Sequence, residues 1–189
     1  MRLKKEVGMG RTALVIVPTE LYRKTLTDLV KQAAKGYKRI LYVTLNDPHD
    51  VLERDFKDRG IALDKFYFID ARTAVSTPEP RPAKNCIFVS SPEALTELKI
   101  AITKGQEKHQ PEITFIDSLS TLLSYLSNGV VARWAHDVIT KFKGRNTSAV
   151  LLCLKRDEES YLVKDVAMFA DKVIHVGMIG SKVIHLSRR

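Results

Sequence analysis

The position of Asp117 in the sequence suggests a role in ligand or metal binding. Asp117 follows residues 113–116, four apolar or β-branched residues typical of a strand that is buried on both faces. Open α/β sheets bind their ligands at the carboxyl ends of the strands, and a carboxylate there can hold Mg²⁺, usually through a bound water. The alternative is that Asp117, Ser118 or Ser120 caps a helix that begins near Leu119.

The segment after the first apolar run has the spacing of a phosphate-binding loop. It reads Pro18-Thr19-Glu20-Leu21-Tyr22-Arg23-Lys24-Thr25, with Lys24 in the position for the terminal phosphates and Thr25 in that of the Mg²⁺-binding hydroxyl. Pro18 and Arg23 occupy the two glycine positions, where glycines let successive N–H groups wrap around phosphate oxygens. An ordinary capped helix with Lys24 and Thr25 on its surface explains the octet equally well. We therefore expect weak or no ATP binding through Lys24 and Thr25.

A second carboxylate, Asp47, follows the apolar run 39–45 at the same predicted edge. A carboxylate there could polarise an attacking water, so Asp47 is the candidate catalytic residue beside Asp117, the candidate Mg²⁺ ligand. Turn chemistry is the alternative, and it is the better explanation of Asn46. Asp70 ends a third run and could either point to the same edge or cap a turn.

Apolar runs alternate with segments of helical period along the chain. Strands are predicted at 13–17, 39–45, 66–70, 86–89, 113–116 and 148–154, with a closing hairpin from 172–176 and 182–186. Helices are predicted at 20–34, 48–59, 91–108, 119–126, 130–142 and 161–169. This alternation predicts a doubly wound, mostly parallel α/β sheet flanked by helices, with antiparallel strands at one edge.

We expect residues 1–11 to form a loose basic lead-in and residues 12–189 a single domain. The carboxyl ends of three strands, at Val17, Leu45 and Ile116, are expected to be neighbours in the sheet. Residues 71–85 carry several prolines and are predicted to be an irregular surface loop.

The composition favours anionic partners. The formal net charge is +9 and the sequence pI is about 9.6, so nucleic acid is a candidate partner, although the basic residues are scattered along the sequence. Cys86 and Cys153 lie in apolar runs and are interpreted as small buried hydrophobes. Because neither a signal peptide nor a membrane-spanning run is evident, we expect a cytoplasmic protein with no membrane partner.

The order and spacing of these segments resemble the RecA-like ATPase superfamily, in particular its archaeal branch similar to the clock protein KaiC. The likeness extends from about residue 13 to residue 176. Besides the octet, it rests on Leu41-Tyr42-Val43-Thr44-Leu45-Asn46-Asp47-Pro48 and Phe115-Ile116-Asp117-Ser118-Leu119-Ser120. Residues 149–154 and 169–174 complete it.

The resemblance implies a RecA-like fold for which no cofactor is certain and Mg-ATP is a possible one. In that family the loop after the first strand binds the phosphates, and a pair of glutamates ends the second strand, one of them activating the water. The aspartate that matches Asp117 helps to hold magnesium. This sequence keeps Asp117, but its loop glycines are replaced, and Asn46 and Asp47 occupy the glutamate pair.

The resemblance therefore implies a RecA-like fold that has lost efficient ATP hydrolysis, but it does not supply the function. Our leading hypothesis, drawn from an intact sheet with a degenerate phosphate loop, is a non-catalytic domain that acts as an interaction or regulatory protein. Members of the superfamily pack ATPase domains side by side, which implies self-association or pairing with a RecA/KaiC-like paralogue. Two alternatives stay open. One is a slow magnesium-dependent ATPase that uses Lys24, Thr25, Asp47 and Asp117, and the other is a basic RecA paralogue that binds nucleic acid.

Overall fold

Helices and strands alternate along most of the chain. The computed structural model describes residues 3–77, 79–179 and 182–188. The strands are β1 (Thr12–Val17), β2 (Ile40–Thr44), β3 (Phe66–Asp70), β4 (Cys86–Phe88), β5 (Ile113–Asp117), β6 (Ser148–Leu154), β7 (Lys172–Ile179) and β8 (Lys182–Arg188). The helices are α1 (Leu3–Val7), α2 (Tyr22–Gly36), α3 (His49–Asp58), α4 (Thr73–Ser76), α5 (Leu95–His109), α6 (Leu119–Leu123), α7 (Asn128–Gly144) and α8 (Tyr161–Phe169). Short 3₁₀ turns span Thr19–Leu21 and Lys155–Asp157.

The strands form one eight-stranded sheet in the order β4-β3-β2-β5-β6-β1-β7-β8. Strands β1 to β7 are mutually parallel, and β8 is antiparallel to β7. The predicted doubly wound α/β fold with an antiparallel edge strand is therefore confirmed. None of the helices in the described ranges combines the length and apolarity needed to cross a membrane.

One expectation about strand neighbours is wrong. Val17 pairs with Leu154, whereas Ile116 pairs with Val43 and Leu151. β6 therefore separates β1 from β5, although β2 and β5 are neighbours as expected. The order of elements along a sequence does not fix strand order, because a helical crossover can pass over intervening strands.

The sheet is covered on both faces, and alternate residues of each strand point into different cores. In β2, Leu41 and Val43 face the core formed with α5 to α8, whereas Tyr42 faces the core beneath α1, α2 and α3. Phe115 of β5 faces the same core as Tyr42. Since Asp117 lies two residues after Phe115, its side chain also points toward the face covered by α2 and α3.

The N-terminal segment is not loose. Leu3 and Val7 are both 1% exposed, and the Leu3 N–H donates to Gln32 Oε1 at 2.8 Å. Residues four apart lie on one side of a helix, so this short helix packs its apolar side onto α2. The expectation of a loose lead-in is therefore wrong for residues 3–7.

Two predicted irregular segments differ in detail. The proline-containing loop includes α4, and its Pro78 lies outside the described residues. The first strand of the hairpin, predicted over 172–176, continues to residue 179 as β7, and residues 180 and 181 lie outside the described ranges.

Candidate functional site

The side chain of Asp117 accepts hydrogen bonds on both carboxylate oxygens. It ends β5 and is 0% exposed. Its Oδ2 accepts a bond from the Tyr42 hydroxyl at 2.5 Å. Its Oδ1 accepts one from the Tyr22 hydroxyl and one from Asn46 Nδ2 at 2.7 Å. The carboxylate thus lies at the predicted sheet edge, bonded to neutral donors of this chain.

Asn46 extends this network to the next helix. Its Oδ1 accepts a bond from the Thr121 hydroxyl, which lies 3.1 Å from the Ser118 hydroxyl. The amide of Asn46 therefore bridges Asp117 and Thr121, a role that turn chemistry alone did not predict. Together these bonds connect the start of α2, the ends of β2 and β5, and the start of α6.

Burial has the largest effect on the pKa values of Asp117, Tyr22 and Tyr42. It raises the pKa of Asp117, and the nearby charge of Asp47 raises it further, whereas the hydrogen bonds from Tyr22, Tyr42 and Asn46 act in the opposite direction. Burial also raises the pKa of Tyr22 and of Tyr42 well above the usual value, with the charge of Asp117 as the next cause. Both tyrosines are therefore protonated donors at neutral pH.

The capping alternative for residues 117–120 is wrong. Ser118 is the N-cap residue of α6, but within the described residues its side chain makes no capping bond. The Ser120 hydroxyl accepts from the Leu154 N–H at 2.8 Å and lies 3.3 Å from Cys153 Sγ. Ser120 therefore connects α6 to the end of β6.

The octet after β1 runs directly into helix. The N–H of Leu21 donates to the Pro18 carbonyl at 3.0 Å, and the N–H of Tyr22 donates to the Thr19 carbonyl. Positive φ angles in the described ranges occur at Gly8, Gly10, Gly60, Gln110 and Asn146, so the octet contains none. A loop that wraps its amides around an anion needs a different backbone from this 3₁₀ turn.

The candidate residues do not all converge. Lys24 is exposed, whereas Thr25 is 3% exposed and its hydroxyl has no hydrogen-bond partner within the described residues. Neither lines the cavity beside Asp117, while Asp47 does. Arg23 Nη1 lies 3.4 Å from Asp47 Oδ2, with side chains 58% and 27% exposed. The candidate catalytic carboxylate, Asp47, is therefore paired with the guanidinium of Arg23 in the lining of the cavity.

The cavity at this sheet edge has a volume of about 420 Å³, within the usual range for small-molecule sites. Its polar lining includes Tyr22, Arg23, Asn46, Asp47, Thr121 and Arg156. Arg156 comes from the 3₁₀ turn after β6. Within the described ranges, no group of three or more His, Cys, Asp or Glu residues is arranged to hold a metal ion.

Asp70 lies outside this cavity and caps a turn. Its Oδ2 accepts from the His49 N–H at 2.8 Å, and its Oδ1 from the N–H groups of Arg72 and Thr73 at 2.6 and 2.9 Å. The Thr73 hydroxyl also donates to it. Of the two interpretations of Asp70, turn capping is confirmed.

Sequence reasoning missed the two tyrosines that bind Asp117. Tyr42 lies in an apolar strand, where a buried hydroxyl needs a partner. Tyr22 lies inside the octet that was compared with a phosphate loop. The apolar sequence around Tyr42 therefore indicated that its hydroxyl needs a hydrogen-bond partner. Identifying that partner as Asp117 required knowing which strands are neighbours.

Comparisons with known proteins identify the fold. A model of the family described as "Family of unknown function (DUF7504)" matches residues 10–176. The structure is similar to that of the KaiC-like protein PH0186 from the hyperthermophilic archaeon Pyrococcus horikoshii OT3. The TM-score is 0.66 at 13% sequence identity, over 95% of this chain and 77% of that one. The fold is therefore RecA-like, and fold alone does not determine activity. No curated protein matches the sequence significantly.

Proposed function

We propose that this chain, which belongs to the family of unknown function DUF7504, is a RecA/KaiC-like domain that does not hydrolyse ATP and acts as an interaction or regulatory protein. The observation that carries the proposal is the hydrogen bond from the Tyr22 hydroxyl to Asp117. It attaches the start of α2 to the carboxylate that the resemblance assigns to magnesium.

The bonding of Asp117 disfavours magnesium binding. Mg²⁺ requires near-octahedral oxygen ligands and keeps several of its own waters. An ion beside Asp117 would have to displace Tyr22 or Asn46, both of which donate to Oδ1. Each displaced donor that stayed buried without a partner would cost about 1–3 kcal/mol. These contacts support a domain in which the ancestral metal position is occupied by side chains.

The octet supports the same proposal, with a degenerate phosphate loop. Pro18 has no N–H, and the amides of Leu21 and Tyr22 bond within their own turn. Lys24 is exposed on α2 and does not line the cavity. A triphosphate beside Asp117 would find few main-chain donors, and we propose weak or no ATP binding.

Phosphate release in the presence of Mg-ATP tests this proposal. Wild type, Lys24→Ala and Asp117→Asn are all expected to release phosphate at the rate of a protein-free control. Turnover by the wild type that disappears in both variants would contradict the proposal and support the slow ATPase. Equal turnover in all three proteins would indicate a contaminating enzyme.

For the interaction, we propose self-association or pairing with a RecA/KaiC-like paralogue. Tyr161 and Met168 of α8 support this, because they are 61% and 73% exposed and lie two turns apart on one side of the helix. Sedimentation equilibrium tests self-association. We expect a concentration-dependent mass that Met168→Glu lowers to that of a monomer, and a variant that associates like the wild type would contradict the proposed surface.

A further inference from the structure

The basic residues are scattered in the sequence, but the fold gathers many of them at one edge of the sheet. In a parallel sheet, the amino ends of the strands and the carboxyl ends of the returning helices share an edge. Arg11 precedes β1, Lys38 and Arg39 precede β2, and Lys65 precedes β3. We call this the amino edge. The binding surface considered below consists of six basic residues of this edge: Lys4, Arg11, Lys35, Lys38, Arg39 and Lys65.

Hydrogen bonds hold three of these cations at the amino edge. Lys4 Nζ donates to the Gly36 carbonyl at 3.2 Å and Lys65 Nζ to the Ala34 carbonyl at 2.8 Å, both near the end of α2. Arg39 Nε donates to the Gln110 carbonyl at 2.8 Å, after the end of α5. Cations near helix carboxyl ends complement the helix dipole. Because their partners are neutral carbonyls, the formal charges stay uncompensated.

Two carboxylates of this edge are already paired with other cations. Glu6 lies 3.0 Å from Lys172, and Glu107 lies 2.8 Å from Arg145. Within the described residues, none of the six basic side chains has a carboxylate oxygen within 4.0 Å. Glu112 lies close by, but its carboxylate accepts the main-chain N–H of Lys38 at 2.9 Å. Asp64, exposed beside Lys65, is a further carboxylate of this edge, but the six cations outnumber Asp64 and Glu112, so the edge keeps an excess of positive charge.

We propose that the amino edge binds the phosphate backbone of duplex nucleic acid. Four strand spacings separate β1 from β3, so the row from Arg11 to Lys65 is about 19 Å long. That length matches about half a helical turn of B-form DNA, whose phosphates present a dense line of negative charge. Contacts of this kind position a protein on a duplex without reading its sequence.

The side chains at this edge favour a duplex over two other anionic partners. Single strands are held by stacking on exposed aromatic rings, but Tyr37, the aromatic residue beside Lys38, is 4% exposed. Binding to a membrane surface requires an apolar face, and Met9 is the one large exposed apolar side chain that the described residues place here. A surface with several exposed cations and little exposed apolar area is therefore suited to binding a phosphate backbone.

This proposal goes beyond the proposed function and does not depend on it. The amino edge lies at the opposite ends of the strands from Asp117, so a failure to bind nucleic acid would leave the account of the Asp117 network unchanged. Conversely, ATP turnover would not alter the charge of the amino edge.

Fluorescence anisotropy with a labelled DNA duplex of about 20 base pairs tests the proposal. We expect binding at about 50 mM salt that weakens with a log–log slope of about −5, as six phosphate contacts require. Lys35→Glu with Lys38→Glu is expected to lower affinity at least tenfold and to reduce the slope by about 2. Both side chains are exposed, and circular dichroism spectra would establish that the variant is folded.

A matched control keeps the same net charge. Arg133→Glu with Lys155→Glu changes two exposed cations away from the amino edge, and we expect its affinity to stay within about twofold of the wild type. No binding at low salt would overturn the proposal, as would an equal loss in both double variants. Equally tight binding to vesicles of phosphatidylcholine and phosphatidylserine, with the same sensitivity to Lys35→Glu and Lys38→Glu, would also overturn it.

Discussion

Replacing Asp70 with alanine is expected to lower the free energy of unfolding by about 3 kcal/mol or more. Asp70 is 0% exposed and accepts main-chain bonds from His49, Arg72 and Thr73. Without the carboxylate these three N–H groups lose their acceptor, and the beginnings of α3 and α4 lose the bonds that connect them to the end of β3. The measurement is urea unfolding of the variant and the wild type at neutral pH.

Asp28→Ala provides the matched control, because Asp28 is an exposed carboxylate on α2. Its loss should change the free energy of unfolding by no more than about 0.5 kcal/mol. If Asp70→Ala were as mild as Asp28→Ala, the carboxylate would not be the acceptor that holds these two turns together.

Tyr42→Phe is expected to destabilise the protein by about 2 kcal/mol at a pH where Asp117 is ionised, because it removes a hydrogen bond to the buried carboxylate. That bond lowers the pKa of Asp117, while burial raises it overall. The wild type therefore loses stability as pH rises from 3.8, the usual value for Asp117, through its folded-state pKa. In Tyr42→Phe the folded-state pKa is higher still, so the loss extends over a wider pH interval.

The two proteins should accordingly differ least well below pH 3.8, where Asp117 is protonated whether folded or unfolded, and increasingly as the pH rises through the folded-state pKa of the wild type. Denaturant unfolding at several pH values measures this difference. Tyr125→Phe is the control, since Tyr125 is 47% exposed and should show little change. A difference between Tyr42→Phe and the wild type that is constant with pH would mean that the hydroxyl does not interact with the charged carboxylate.

Much of the fold was predictable because local sequence patterns indicate where its strands and helices lie. β3, β6 and α8 begin and end at the predicted residues, since each is a short apolar or periodic run between clear breakers. The segment at 3–7 was missed because only two of its residues are buried and its packing partner lies on α2. The separation of β1 from β5 by β6 was missed because strand order is a property of crossovers.

The site was only partly predictable, for a related reason. Asp117 and Asp47 were placed at one edge because both follow strands in the sequence. The donors to Asp117 come from α2, from the middle of β2 and from the turn after β2, and no spacing rule connects Tyr22 or Tyr42 to residue 117. Three-dimensional proximity alone showed that this carboxylate is enclosed by hydroxyl and amide groups.

The proposal that this RecA-like domain does not bind Mg-ATP rests on the hydrogen bonds that Tyr22, Tyr42 and Asn46 donate to Asp117. Isothermal titration of the wild type with ATP in excess magnesium tests it most directly. The account predicts no saturable heat below about 1 mM nucleotide. A dissociation constant in the micromolar range that Lys24→Ala or Asp117→Asn abolishes would contradict it.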